Sequence, residues 1–198
     1  MADLPQVTLV ARRWGSDPYV YPFHWILSDR SGQTLVIEPT GGPLKAQLNP
    51  VGVLTNTPIL ATHLQNLNAF LKIPGTEFTG QTVTAAREYL QSGEPLPTGT
   101  IPTTRFIHMA LRRWGTLPMT TTAASLHQIF HWLAEVSLPY DPDRRNELNH
   151  NYTHYRAIID ISTATYNFIS RNSDRLQQIT LTPEMAAHRY YPHTYAPE

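Results

Sequence analysis

The stretch Gly52–Leu71, GVLTNTPILATHLQNLNAFL, sets a short apolar run, an Asn-Thr-Pro stop and an amphipathic segment end to end. The run Val51-Gly52-Val53-Leu54-Thr55 is apolar and of strand length. Pro58 suits the first position of a helix, with Thr57 or Asn56 as its cap, and Leu60, Leu64, Leu67 and Leu71 follow at helical spacing. The pattern predicts a strand that feeds directly into a helix, with an asparagine amide at the junction.

Upstream, Phe23 to Ser28 and Thr34 to Glu38 are rich in β-branched and aromatic residues and are split by Asp29-Arg30-Ser31-Gly32, a hairpin signature. A third strand is expected over Leu44 to Leu48, closed by an Asn49-Pro50 turn. Downstream, Lys72 to Gly99 is punctuated by glycine, proline and threonine and reads as a long ordered loop with one short helical piece at Thr84 to Leu90. Pro102-Thr103-Thr104 opens a helix through Trp114 that Gly115 stops. Thr120 to Thr122 open another, striped by Leu126, Ile129, Phe130, Leu133 and Val136 and ended by Pro139.

In the last third the period changes to two. NYTHYRAIIDIST alternates, with Tyr152, His154, Arg156, Ile158 and Asp160 on one face and Thr153, Tyr155, Ala157, Ile159 and Ile161 on the other. ATYNFIS and LQQITL follow as strands around the turn-rich RNSDR, which predicts a meander. Strands, then helices, then strands again argue for one α+β layered domain over residues 1–198, and residues 183–198 read as an extended tail.

Composition narrows the chemistry. Fifteen Lys and Arg balance 15 Asp and Glu, so no basic footprint points to nucleic acid or an acidic membrane face. No window approaches the roughly 18 apolar residues of a membrane span, and a cytoplasmic protein is expected. Cysteine is absent, which removes disulfides, thiolate metal sites and thiol nucleophiles from these 198 residues.

Two positions carry candidate catalytic chemistry. Asn56 sits where a helix N-terminus favours an anion, and a side-chain amide aimed there can hold a developing oxyanion; the plain alternative is a turn or cap residue. Arg105 falls in the first turn of its helix, where the dipole disfavours a cation; either it has a functional partner or its stem curls over the apolar face to water. His127 and His131 share a helix face as zinc ligands do, but the glutamate of H-E-x-x-H is missing and no third ligand has suitable spacing, so no metal is expected there or at His150 and His154. There is no GxSxG elbow and no glycine-rich phosphate loop, and no cofactor is expected.

Taken in order, FHWILSDRSGQTLVIEPT, NPVGVLTNTPILATHLQNLNAFL and IPTTRFIHMALRRW resemble the choloylglycine hydrolase family of bile salt hydrolases and penicillin V acylases, as does THYRAIIDISTATYNFISRNSDRLQQITL. The resemblance runs from Tyr21 to Leu181 and implies part of the four-layer αββα fold of N-terminal-nucleophile hydrolases. It implies a small-molecule amide substrate, a conjugated bile salt, penicillin V or another N-acyl compound. On it, Asn56 matches the asparagine that donates its amide to the oxyanion, and Arg105 the arginine that shapes the charge of the site. The family's nucleophile is a cysteine at the mature N-terminus, on strands that precede those seen here. The chain therefore resembles the C-terminal two-thirds of the family, with the first strands and the thiolate missing, and is expected to be inactive alone. A complementary N-terminal chain or a second copy is expected to cover the uncovered sheet. The alternative is a non-catalytic binding protein that keeps the scaffold.

Overall fold

A computed structural model describes residues 23–38, 46–147 and 151–187. The hairpin forms as expected: β1 (Trp25–Ser28) pairs antiparallel with β2 (Thr34–Ile37), Trp25 opposite Ile37. Asp29 makes the turn, its carboxylate accepting from the amides of Ser31 and Gln33 while Gly32 takes φ +82°. β3 (Ala46–Leu48) adds to β2's other edge, with the first residues of the expected strand, Leu44 and Lys45, outside the described residues.

Val51 and Val53 of the apolar run are buried and the rest of Val51–Thr55 is half-buried, but the run is not a strand. Alternating apolar residues report burial, and a strand also needs a neighbour to take its backbone groups. No strand pairs with this run among the described residues, and side chains serve it instead. Asn49 donates its amide to the Val53 carbonyl (3.0 Å) and the Trp114 indole donates to that of Val51 (2.9 Å).

Helix α1 (Leu60–Phe70) buries Leu60, Leu64 and Leu67 as the spacing predicts, together with His63 and Asn68 on the same stripe. Its start lies two residues past Pro58, and neither Thr57 nor Asn56 caps it. Glu38, at the end of β2, accepts the Leu60 N–H with both carboxylate oxygens (2.9 and 3.1 Å), so a distant anion replaces the local cap.

The stretch expected to be mostly loop holds the longer helix α2 (Gly80–Gln91). Thr79 and Thr82 form a reciprocal capping box. Asn68 anchors the approach to it, donating to the carbonyls of Gly75 and Glu77 and accepting the Thr82 hydroxyl (3.1 Å). α3 (Pro102–Gly115) runs as predicted and packs on α1 and α2, burying Phe106 and Leu111 against Val36, Val51 and Leu67.

α4 (Thr122–Glu135), capped by Thr121, lies on a second antiparallel sheet, the meander β4 (Tyr155–Asp160), β5 (Thr165–Ser170) and β6 (Gln177–Thr180). The β4 face bearing Arg156 and Ile158 is half-buried, while Tyr155 and Ile159 on the other face are 58% and 64% exposed. Residues 183–187, read as the start of an extended tail, form the short helix α5 (Pro183–Ala187), which Thr182 caps through the Met185 N–H; the tail beyond lies outside the described residues. The architecture is the expected α+β, two antiparallel sheets with helices.

Candidate active site

The Asn-Thr-Pro junction and the N-terminus of α3 meet in space. Arg105 lies in the first turn of α3 and its Nη2 donates to Asn56 Oδ1 at 3.1 Å. An arginine has no acceptor, so the amide oxygen must be the end that faces it. The Asn56 NH2 group then points away from Arg105, and Asn56 itself is exposed. The cation that the helix dipole disfavours thus has a defined acceptor.

Arg105 is only half-buried, yet its Nε is buried and has no hydrogen-bond partner among the described residues. Burial pulls its guanidinium below the usual arginine range, though an arginine stays charged.

Behind the pair sits His63, fully buried and stacked on Phe106 of α3 with ring centroids 4.5 Å apart and planes 8° from parallel. Its Nε2 lies 2.9 Å from the Asn56 carbonyl oxygen and 3.1 Å from Thr55 Oγ1. The Thr55 hydroxyl donates in turn to the Pro102 carbonyl (3.2 Å), tying the junction to the start of α3. Burial pushes the His63 imidazole down from its usual range; the Asn56 carbonyl and Glu38 oppose this, and His24 and Arg105 reinforce it. Glu38 is buried and shares its carboxylate between α1 and His24 Nδ1 (2.9 Å).

The structure therefore brings together the two candidate residues that the sequence singled out. It adds His63, Thr55 and Glu38, which sequence reasoning missed. For His63 a signal existed: it sits on the leucine stripe, three residues after Leu60. Glu38 gave a weaker one, a carboxylate ending an apolar strand. His127 and His131 are exposed, and His131 pairs with Glu135 at 3.4 Å. His154 packs against Tyr152 with the rings tilted 38° to each other, and His150 is outside the described residues. Among the described residues no three His, Cys, Asp or Glu side chains form a group able to hold a metal ion.

The family model of linear amide C–N hydrolases, choloylglycine hydrolase family, matches residues 1–187. The chain belongs to this family. A bile salt hydrolase/transferase of Lactiplantibacillus plantarum is 26% identical over 186 residues, 92% of this chain and 57% of that protein. Another from Clostridium perfringens is 27% identical over 169 residues, covering 81% and 50%. The chain spans about half the length of the curated relatives it matches.

Among solved structures, penicillin V acylase from Agrobacterium tumefaciens superimposes with a TM-score of 0.61 at 22% identity, over 81% of this chain and 45% of that one. A variant of conjugated bile acid hydrolase from Clostridium perfringens gives 0.57 at 22% identity, over 79% and 49%. These likenesses show a shared fold, so the described sheets and helices are part of the choloylglycine hydrolase architecture.

Proposed function

We propose that this chain carries the oxyanion-binding side of a linear-amide hydrolase, with Asn56 as the oxyanion donor and Arg105 as the residue that orients it and sets the local charge. The observation that supports this is the 3.1 Å bond from Arg105 Nη2 to Asn56 Oδ1, which fixes the amide with its N–H donors outward. Attack of a thiolate on an amide carbonyl moves negative charge onto the carbonyl oxygen. A pre-set N–H at hydrogen-bond distance favours that charged state over the neutral substrate, which is how such donors accelerate acyl transfer. The leaving amine takes a proton and the acyl-enzyme is then hydrolysed.

The 198 residues contain no cysteine, so the thiolate comes from a complementary polypeptide segment. A second copy of this chain can cover exposed sheet but brings no thiol. By family, the proposed substrate class is a conjugated bile salt, penicillin V or another N-acyl amide. The second reading is a binding protein that keeps the scaffold without the chemistry.

Hydrolysis of a glycine-conjugated bile salt and of penicillin V separates the two. The chain is assayed alone and mixed with a separately expressed N-terminal segment bearing the family cysteine. Turnover in the mixture only is the expected result. Silence in a well-folded mixture transfers the assignment to the binding reading.

A further inference from the structure

We propose that His63 is a positioning residue that sets the Asn56–Arg105 pair through its Nε2–H. The inference rests on the proposed function for its catalytic meaning, but its structural content stands separately. Both atoms facing Nε2 are oxygens. The Asn56 carbonyl can only accept, and the Thr55 hydroxyl spends its hydrogen on the Pro102 carbonyl, so it too accepts from the ring. Nε2 therefore carries a proton that is shared between two successive residues of the junction. Nδ1 is buried and has no partner among the described residues, as befits the bare nitrogen of a neutral ring. Lowering of the imidazole's proton affinity by burial agrees with that tautomer.

The ring joins three parts of the chain that no strand pairing connects. It grows from α1, stacks flat on Phe106 of α3, and grips the backbone of residue 56 from beneath. Phe106 and Arg105 are adjacent in α3, so the same stack that fixes the imidazole fixes the base of the arginine. Asn56 is thus held at both ends, its backbone carbonyl by His63 and its side-chain oxygen by Arg105. Without the lower hold, the exposed residue keeps only a single solvent-accessible contact to a long side chain. Burial is the largest influence keeping the ring neutral, with His24 and Arg105 adding to it against the opposing pull of the Asn56 carbonyl and Glu38.

Two substitutions separate the donor from the ring. His63→Phe keeps an aromatic plate against Phe106 and removes the N–H. His63→Gln removes the plate and keeps an N–H donor of similar reach. The readout is the Asn56 side-chain amide in 15N–1H correlation spectra of the full 198-residue chain, which needs no catalytic partner. The expected result is that His63→Phe moves both amide protons to the shifts of a free asparagine while His63→Gln leaves them in place. The reverse pattern, or an unmoved amide in both variants, overturns the proposal in favour of simple packing. If His63→Phe does not fold, His63→Gln decides alone: a retained amide position supports the proposal and a lost one overturns it.

In the mixture with the cysteine-bearing segment, His63→Phe is expected to lower kcat at least tenfold with KM little changed, and His63→Gln to restore most of it. A mixture inactive even with the wild-type chain removes the proposed function and leaves the spectroscopic result to judge the positioning role.

Discussion

Asn56 has one side-chain amide, and Arg105 takes its oxygen end, which leaves the donor end for the proposed oxyanion role. In an active mixture, Asn56→Ala is expected to cost on the order of 100-fold or more in turnover. Because the residue is exposed, its thermal midpoint should stay within a degree or two of wild type; equal turnover would remove its assigned role. Glu38 tests a different kind of dependence. Its buried carboxylate accepts from the Leu60 N–H and faces His24, so Glu38→Ala is expected to destabilise by about 2 kcal/mol in urea denaturation, combining a lost helix cap with a stranded partner. Asn56 and Arg105 were singled out on position, one just before a helix N-terminus and the other as a cation at the unfavourable end of a helix dipole. Their pairing was not legible, since 49 residues separate them and nothing local records which helix end meets which junction.

At the scale of elements, α3 packs on α1 and α2, and its last residue shows how closely. A Cβ at Gly115 would lie 2.8 Å from the Ala86 carbonyl oxygen and 2.6 Å from Leu90 Cδ1, both on α2. Backbone cannot yield as a side-chain tip does, so Gly115→Ala is expected to destabilise by about 1–3 kcal/mol, visible as a lowered urea midpoint. The contact of α3 with α4 is polar: Glu135 accepts from Arg112 and faces His108 Nε2 at 3.0 Å, while His108 Nδ1 faces the Pro97 carbonyl. Burial raises the Glu135 carboxyl, but the bonds and charges of Arg112 and His108 outweigh it and hold it below the ordinary carboxylate range. A depressed folded value stabilises above the unfolded pKa and is lost as pH falls through the folded one. Glu135→Gln should therefore be less stable than wild type by on the order of 1 kcal/mol at pH 7, a gap that closes below about pH 4. A gap that persists at pH 3 would assign the effect to packing. Leucine spacing made α1 readable and the mixed apolar stripe from Leu126 to Val136 made α4 so, whereas α2 was underestimated because its capping threonines look like loop residues. Val51–Thr55 was misread because hydrophobicity specifies an interior address and leaves the hydrogen-bond partners open.

For the whole molecule, the exposed apolar surface is the feature to explain. Leu48 on β3 is 58% exposed, Ile26 on β1 46%, and the outer face of β4 presents Tyr155 and Ile159. Such sheet surface favours association. Size-exclusion chromatography with light scattering should show mass rising with concentration for the chain alone, and falling to a defined complex when the cysteine-bearing segment is added. A monomer at high concentration would count against an uncovered interface. The α+β class was readable from the order of periodicities, because strand–helix–strand blocks exclude alternating βαβ units.

The indole of Trp114 bonds to the Val51 carbonyl and its ring rests against Phe78 at 5.1 Å, which makes it a natural optical gauge of the run that leads to Asn56. The chain has four tryptophans, and replacing Trp14, Trp25 and Trp132 by phenylalanine would leave one emitter at that seat. Its emission should be blue and shielded from iodide while the run is docked, and should redden and become quenchable when it lifts. Seating of the run that carries Asn56 could then be followed in real time as the cysteine-bearing segment is added, before any substrate.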